Sequence, residues 1–366
     1  MRSIIGFFWA DFEESGRGCI SVFKVGIIGV GFIGEKHLLA FNTLASVHVS
    51  AIAELDRNRR ELCCETHAPD NVFACHHDLL ALTDLNLVVV CVPNHLHARV
   101  TNDALNAGHH VLCEKPMATS VKDAVAMIKN ACENRRLLMI AMNFRWEFFG
   151  PGLFHLKKLI DEGRLGKVYY IRAHYLRRQT FPVTKYERWN LSKEHSGGGV
   201  LMDLGSHMLD LAMWLLDDYQ PRSVAGVTHN ALAKYAEVDD FASGSVTLGN
   251  GARIQMDLAW NSHCSPAWQI DVYGEKGGAV ITAGGHPDDR RLTLFSLRDN
   301  APASEQVSAA DFSRPMESSL QAHIVNSLKA DEPSQCSAEQ ALQVTRVIEA
   351  WYRSSESGRD VLMSDV

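Results

Sequence analysis

The chain has 366 residues, of which 46% are hydrophobic and 22% charged, with a formal net charge of −7. That length exceeds one ordinary core and predicts two domains of globular composition. Mild acidity without a strongly basic domain speaks against a nucleic-acid partner, and no apolar run reads as long enough to cross a membrane.

The first segment, Met1–Val22, precedes any regular element. Its apolar stretch Ile4–Ala10 is followed by Asp11, Glu13 and Glu14 and is too short for a secretory core, so residues 1–22 read as a dispensable extension of a cytoplasmic protein. Nine cysteines without a CxxC pair read as reduced thiols.

Residues 23–143 alternate strand and helix. Strands are expected at Lys24–Gly29, Val47–Glu54, Leu87–Val92, His110–Cys113 and Leu137–Ala141, with helices at Phe32–Leu44, Arg57–Thr66 and Ser120–Asn134. The β-branched run LVVVCV suits a strand buried on both faces. This rhythm predicts a doubly wound parallel sheet, a Rossmann domain. Residues 144–366 form a second domain of α+β type. It starts with a helix at Phe148–Glu162, a strand at Lys167–Arg177 and a helix at Val200–Leu216. Ser223–His229, Phe241–Leu248 and Arg253–Trp260 follow as strands, the last two joined by Gly249-Asn250-Gly251. Another hairpin turns between Trp268–Tyr273 and Ala279–Thr282, and helices at Pro315–Ala330 and Ala338–Ser354 close the chain. The expected result is an open, largely antiparallel sheet covered on one face by helices.

Three motifs carry chemistry. In VGIIGVGFIGEKH, Val25–His37, a GxGxxG follows a strand and opens a helix. Gly29 serves a tight turn, Gly31 lets a pyrophosphate approach the backbone at Phe32 and Ile33, and Gly34 lets helix and strand pack closely. The helix N-terminus then faces the phosphates with free N–H groups. Glu54 ends the second strand, 20 residues past Gly34, where a carboxylate meets the adenosine ribose hydroxyls and repels a 2′-phosphate. NAD is therefore expected and NADP disfavoured, with Arg57 nearby as the residue favouring NADP. Asp56 reads as a helix N-cap.

Past the central strand, Pro93 can wall the nicotinamide. Asn94 and His97 are either a cap and a solvated first-turn residue or cofactor and substrate contacts. In CEKPMATS, Lys115 stands at a strand's carboxyl end, held by Pro116, where a fixed cation can stabilise a developing oxyanion. Glu114 can orient it. In GGGVLMDLGSHMLD, Gly197–Asp210, Asp203 and His207 lie four apart on one helical face. His207 is the candidate acid/base, and Asp203 orients it or binds a second hydroxyl. Asp210 shares nearly the same face without an assigned part. A shared zinc is a weak alternative, since no further histidine or cysteine is spaced to complete it, and no metal is expected.

GVGFIG, VCVPNHLH, CEKPMATS and GGGVLMDLGSHMLDL together resemble the Gfo/Idh/MocA oxidoreductases, from Lys24 to the C-terminus. The resemblance implies that Lys115 contacts the reacting hydroxyl, with Asp203 and His207 across the cleft, and that Lys115–Pro116 is cis. More weakly it places Arg145 of NFRW and Trp189 of ERWN at the substrate. It also implies a sheet that forms a subunit interface, hence a homodimer or homotetramer. The expectation is an NAD-dependent dehydrogenase of a polyhydroxylated small molecule, a sugar, sugar derivative or cyclitol. The alternatives are an enzyme that cleaves glycosides by transient oxidation and a cofactor-binding regulator of sugar metabolism.

Overall fold

The computed structural model describes residues 22–178, 189–232, 236–283, 290–312 and 317–366. The expectation for the N-terminal extension thus falls outside the described residues, as does most of 177–195, whose loops are expected from the sequence to build the substrate pocket.

The first sheet has six parallel strands: β1 (Phe23–Ile28), β2 (Val47–Ala53), β3 (Asn71–Phe73), β4 (Leu87–Val90), β5 (Val111–Cys113) and β6 (Leu138–Ile140), in the order β3-β2-β1-β4-β5-β6. The helices between them are α1 (Phe32–Asn42), α2 (Arg57–His67), α3 (His76–Leu80), α4 (His97–Asn106) and α5 (Val121–Glu133). All four residues of β4 are buried, as its continuous apolar run demands. Strand order reverses between β1 and β4, and the crevice beyond their carboxyl ends is where such sheets take ligands. β3 and α3 were not expected. Three and five residues long, they are too short to display a period.

The second sheet has nine strands in the order β14-β13-β12-β11-β7-β10-β9-β8-β15. They are β7 (Val168–Leu176), β8 (Pro221–His229), β9 (Phe241–Leu248), β10 (Arg253–Ala259), β11 (Ala267–Gly274), β12 (Gly278–Thr282), β13 (Arg291–Arg298), β14 (Ala301–Val307) and β15 (Val361–Leu362). Every pairing is antiparallel except β7 with β10, which run parallel from Tyr170↔Arg253 to Leu176↔Ala259. The hairpin β13–β14 is largely exposed, so its sequence lacks the apolar alternation of a buried strand.

Helices α6 (Phe144–Glu147), α7 (Pro151–Asp161), α8 (Lys193–Ser196), α9 (Ser206–Leu216), α10 (Leu320–Ala330) and α11 (Ala338–Ser357) complete the chain. The segment expected as one helix from Val200 has a π-helical turn at Leu201–Gly205 before α9. Lys193–Leu216 is long and apolar enough to cross a membrane by length and composition, contrary to expectation, but its apolar window is 89% buried in the core. Leu320, Ile324 and Val325 of α10, with Cys336, Ala338 and Ala341, belong to the first sheet's core, so the chain returns to that domain near its end.

Candidate active site

The glycine-rich turn is built as its spacing requires. Gly29 has φ of +87°, and a Cβ on it would lie 2.4 Å from the Cys91 carbonyl oxygen. A Cβ on Gly34 would lie 1.9 Å from the Gly29 oxygen, so helix and strand touch there. Gly31 alone opens into space, its nearest neighbour being Arg59 Nη1 at 3.8 Å. A cradle that a Cβ would partly fill, at the start of α1, fits a pyrophosphate. Phe32 and Ile33 are 74% and 39% exposed beside it.

Glu54 Oε2 accepts from the Val30 backbone N–H at 2.9 Å, and Oε1 accepts from that of Asp56 at 2.9 Å. The carboxylate is thereby anchored between the glycine turn and α2. Asp56 caps α2 by accepting from Arg59 N. Arg57 points away from the turn into solvent and pairs with Glu61. Arg59, not Arg57, lines the cavity of about 160 Å³ beside Gly31 and Phe32.

Beyond β4, Pro93 starts a 3-10 turn and buried Asn94 donates from Nδ2 to the Ser196 carbonyl, tying the two domains together. His97 is neither solvated nor open to a ligand. It is 1% exposed, and its ring nitrogens face the carbonyls of Pro116 at 2.7 Å and Val92 at 2.8 Å. It therefore clamps the loops after β4 and β5, and a direct cofactor or substrate contact is ruled out by its burial. Glu114 is also turned inward. Its Oε1 lies 2.8 Å from His37 Nε2, and its Oε2 accepts from the Lys115 N–H. Burial alone would raise this carboxyl, but the bond to His37 and neighbouring positive charge lower its pKa below the ordinary value. The Lys115–Pro116 peptide is cis.

Lys115 reaches across the cleft to Asp203, Nζ to Oδ1 at 2.8 Å. Asp203 Oδ2 accepts from Trp260 Nε1 at 2.9 Å. Burial opposes the charge on Asp203, yet Lys115, Arg177 and the indole hold its carboxyl well below the usual range. Even so, 38% of its side chain stays open to the cleft. The π-helical turn aims Asp203 at Lys115, so Asp203 positions the lysine and makes no hydrogen bond to His207. The His207 ring lies flat on Phe144, centroids 3.6 Å apart at an interplanar angle of 2°. Its Nδ1 is buried without a hydrogen-bond partner, and the residue as a whole is 4% exposed. Burial, then the Lys115 ammonium, lowers its pKa well below the ordinary histidine value.

Arg145 departs from expectation. It is fully buried, with Nε and Nη2 on the Asp210 carboxylate at 2.8 and 2.5 Å and further bonds to Gln335 O and Tyr219. A guanidinium so enclosed is a core ion pair, which also explains Asp210, and it cannot touch substrate. Trp189 is 40% exposed at the start of a 3-10 turn. Among the described residues, the one metal-like cluster is His76, His77 and Asp103, between α3 and α4, not the Asp203–His207 pair. Phe144, Trp260 and Tyr175 escaped the sequence reading, and Arg177 entered it only as the start of the loops expected to build the substrate pocket. Arg177 had a usable signal, since it ends a predicted strand just as Lys115 does.

Residues 23–142 match the NAD-binding Rossmann fold domain of an oxidoreductase family, and residues 157–363 match that family's C-terminal alpha/beta domain. A D-glucoside 3-dehydrogenase of Escherichia coli (strain K12) is 27% identical over 359 residues, covering 93% of this chain and 97% of that protein. An inositol 2-dehydrogenase of Salmonella typhimurium is 27% identical over 281 residues, covering 75% and 78%. An aldose-aldose oxidoreductase from Caulobacter crescentus, crystallised with glycerol, superposes with a TM-score of 0.80 at 25% identity, covering 93% and 99%. With its glycine cradle, its Glu54 anchor and both family domains in place, the chain belongs to the Gfo/Idh/MocA oxidoreductases and is an NAD-dependent dehydrogenase.

Proposed function

We propose that the protein oxidises a secondary carbinol carbon of a polyhydroxylated small molecule, a sugar, sugar derivative or cyclitol. The observation that carries this reading is that Lys115, from the domain that holds the glycine cradle, meets Asp203 of the second domain, with His207 one turn further on the same segment. Gly31, the α1 N-terminus and Glu54 would hold NAD, which when bound supplies the hydride acceptor. Lys115, fixed by Asp203, binds the reacting hydroxyl oxygen and stabilises its negative charge as the O–H proton leaves. His207 receives that proton at Nε2, and Phe144 fixes the plane in which it does so. Asp203 keeps the lysine in place and offers its exposed edge to a second hydroxyl. Trp189, 40% exposed at the start of its 3-10 turn, supplies an apolar face for a sugar ring in this reading. The names of the relatives, a glucoside dehydrogenase and an inositol dehydrogenase, support this substrate class.

We also propose a cytoplasmic homodimer or homotetramer. Eight free cysteines among the described residues accord with a reducing compartment. The exposed Tyr169, Tyr273 and Phe295 on the second sheet accord with a subunit contact.

The test is a screen of sugars and cyclitols with NAD and NADP, followed by the absorbance of reduced nicotinamide. Stoichiometric reduced cofactor with at least one polyol supports the reading. Glycoside cleavage without net reduction would point to transient oxidation, and tight cofactor binding with no turnover would point to a regulator.

A further inference from the structure

Arg177 follows directly on β7, and its backbone N–H donates to Ala259 O at the end of the parallel neighbour β10, at 3.0 Å. The next residue on that side is Trp260, whose indole holds Asp203. Arg177 therefore stands over the catalytic pair, and its charge acts on both Asp203 and His207. Its guanidinium lies 4.9 Å from the Tyr175 ring and donates from Nη2 to the Tyr175 hydroxyl at 2.9 Å. Tyr175 is 3% exposed and packs edge-on to Phe144, the ring on which His207 rests.

The charges on this wall do not cancel. Lys115 and Asp203 neutralise each other. Burial depresses the His207 pKa, so that ring is neutral. Among the described residues no carboxylate forms a salt bridge with Arg177, and an uncompensated positive charge is left acting on Asp203 and His207. A neutral polyol would not compensate it. We propose that the substrate carries a carboxylate that Arg177 receives, making it a sugar acid or related polyhydroxy acid. Nη2 carries two N–H bonds and gives one to Tyr175, so one two-pronged edge of the guanidinium, Nη2 with Nε or with Nη1, stays without a partner among the described residues, a geometry that suits a carboxylate better than a lone hydroxyl. Burial raises the Tyr175 pKa, so its hydroxyl stays protonated. It accepts from Arg177 and can donate onward to the second carboxylate oxygen.

This inference rests on the dehydrogenase reading above and names the substrate class for the same site. The test pairs each neutral sugar or cyclitol with its carboxylate counterpart, an aldonate or uronate, and measures kcat/KM with NAD. Calorimetric binding of the same compounds to the NADH complex gives a readout independent of turnover. The carboxylates are expected to be preferred at least tenfold in both measurements. In Arg177→Gln, with melting temperature and NADH affinity confirming the fold, that preference should collapse at least tenfold, chiefly through KM. Arg177→Lys, which keeps a point charge without the fork, should retain part of it. If neutral compounds are oxidised as well as their acids, the carboxylate assignment is wrong while the dehydrogenase reading stands. If Arg177→Gln weakens both classes equally, Arg177 only supports Tyr175 and the assignment is again wrong. If neither class is oxidised or bound, both readings fall together.

Discussion

The Nζ of Lys115 lies 2.8 Å from Oδ1 of Asp203, and this one bond joins the carboxyl end of a strand in the first sheet to a π-helical turn in the second domain. The two domains thus meet at the lysine proposed to hold the charge that a departing proton would leave behind. The lysine is only 17% exposed, and Asp203 takes two of its three N–H donors, through Oδ1 and its backbone oxygen, leaving one for a ligand oxygen.

The pH dependence follows from His207. A base must be unprotonated, so kcat/KM should rise with pH through its apparent pKa and flatten above it. Burial and then Lys115 depress that pKa, which places the rise below the ordinary 6.5. The same shift gives a stability contribution that is fully present above about 6.5, where the unfolded histidine is also neutral, and is lost as pH falls toward the folded pKa. A pH–rate profile of the wild type and His207→Gln checks it. A midpoint at or above 6.5, or one unchanged in the variant, would contradict the assignment.

Gly31 and Gly34 separate cofactor binding from folding. Gly34→Ala drives a Cβ into the Gly29 carbonyl oxygen and should lower the melting temperature sharply. Gly31→Ala has room in the free protein and should leave melting unchanged, while weakening NADH at least tenfold by filling the pyrophosphate's approach. Thermal melts and NADH fluorescence titration give the answer, and an unaltered NADH affinity in Gly31→Ala would place the cofactor elsewhere.

Cofactor choice turns on Glu54, now with Arg59 as its counterweight. We expect NADH to bind more tightly than NADPH, and Glu54→Ser to narrow or reverse the preference. Adding Arg59→Ala to that variant should remove the gained NADPH affinity, whereas Arg57→Ala should not. Parallel titrations of the variants with both cofactors decide this, and tighter NADPH binding by the wild type would overturn it.

Arg145 should matter for folding and not for substrate. Arg145→Met leaves the Asp210 carboxylate buried without its partner, at a cost of about 3–5 kcal/mol. The double variant with Asp210→Leu should recover much of the lost stability. Denaturant unfolding measures both. A raised KM with unchanged stability would return Arg145 to the substrate site.

Much of this was legible in the sequence because local and global demands coincide there. The spacing of Gly29, Gly31 and Gly34 encodes three different close approaches, and the LVVV run encodes double burial. Lys115 could be placed because a strand end fixes where it points. The relation of Asp203 to His207 was misread because a regular helix was assumed, and the π-helical turn rotates Asp203 toward Lys115 instead. His97 and Arg145 were misread for another reason. Polar side chains next to a motif look available, and only the packed fold shows that backbone carbonyls or a buried carboxylate already hold them. Phe144 and Trp260 act through tertiary contacts that no period reveals.

The central claim is hydride loss from a carbinol carbon whose proton is taken by His207 while Lys115 holds the oxygen. It is tested most directly by deuterium transfer. A confirmed substrate deuterated at its carbinol carbon is turned over with NAD, and the nicotinamide is analysed by mass spectrometry for the wild type, Lys115→Met and His207→Gln. The account predicts one deuterium on the reduced cofactor per product formed. It further predicts that each variant binds NADH normally but transfers deuterium about a hundredfold more slowly or worse. Deuterium lost to solvent, product formed without reduced cofactor, or wild-type transfer rates in both variants would contradict it.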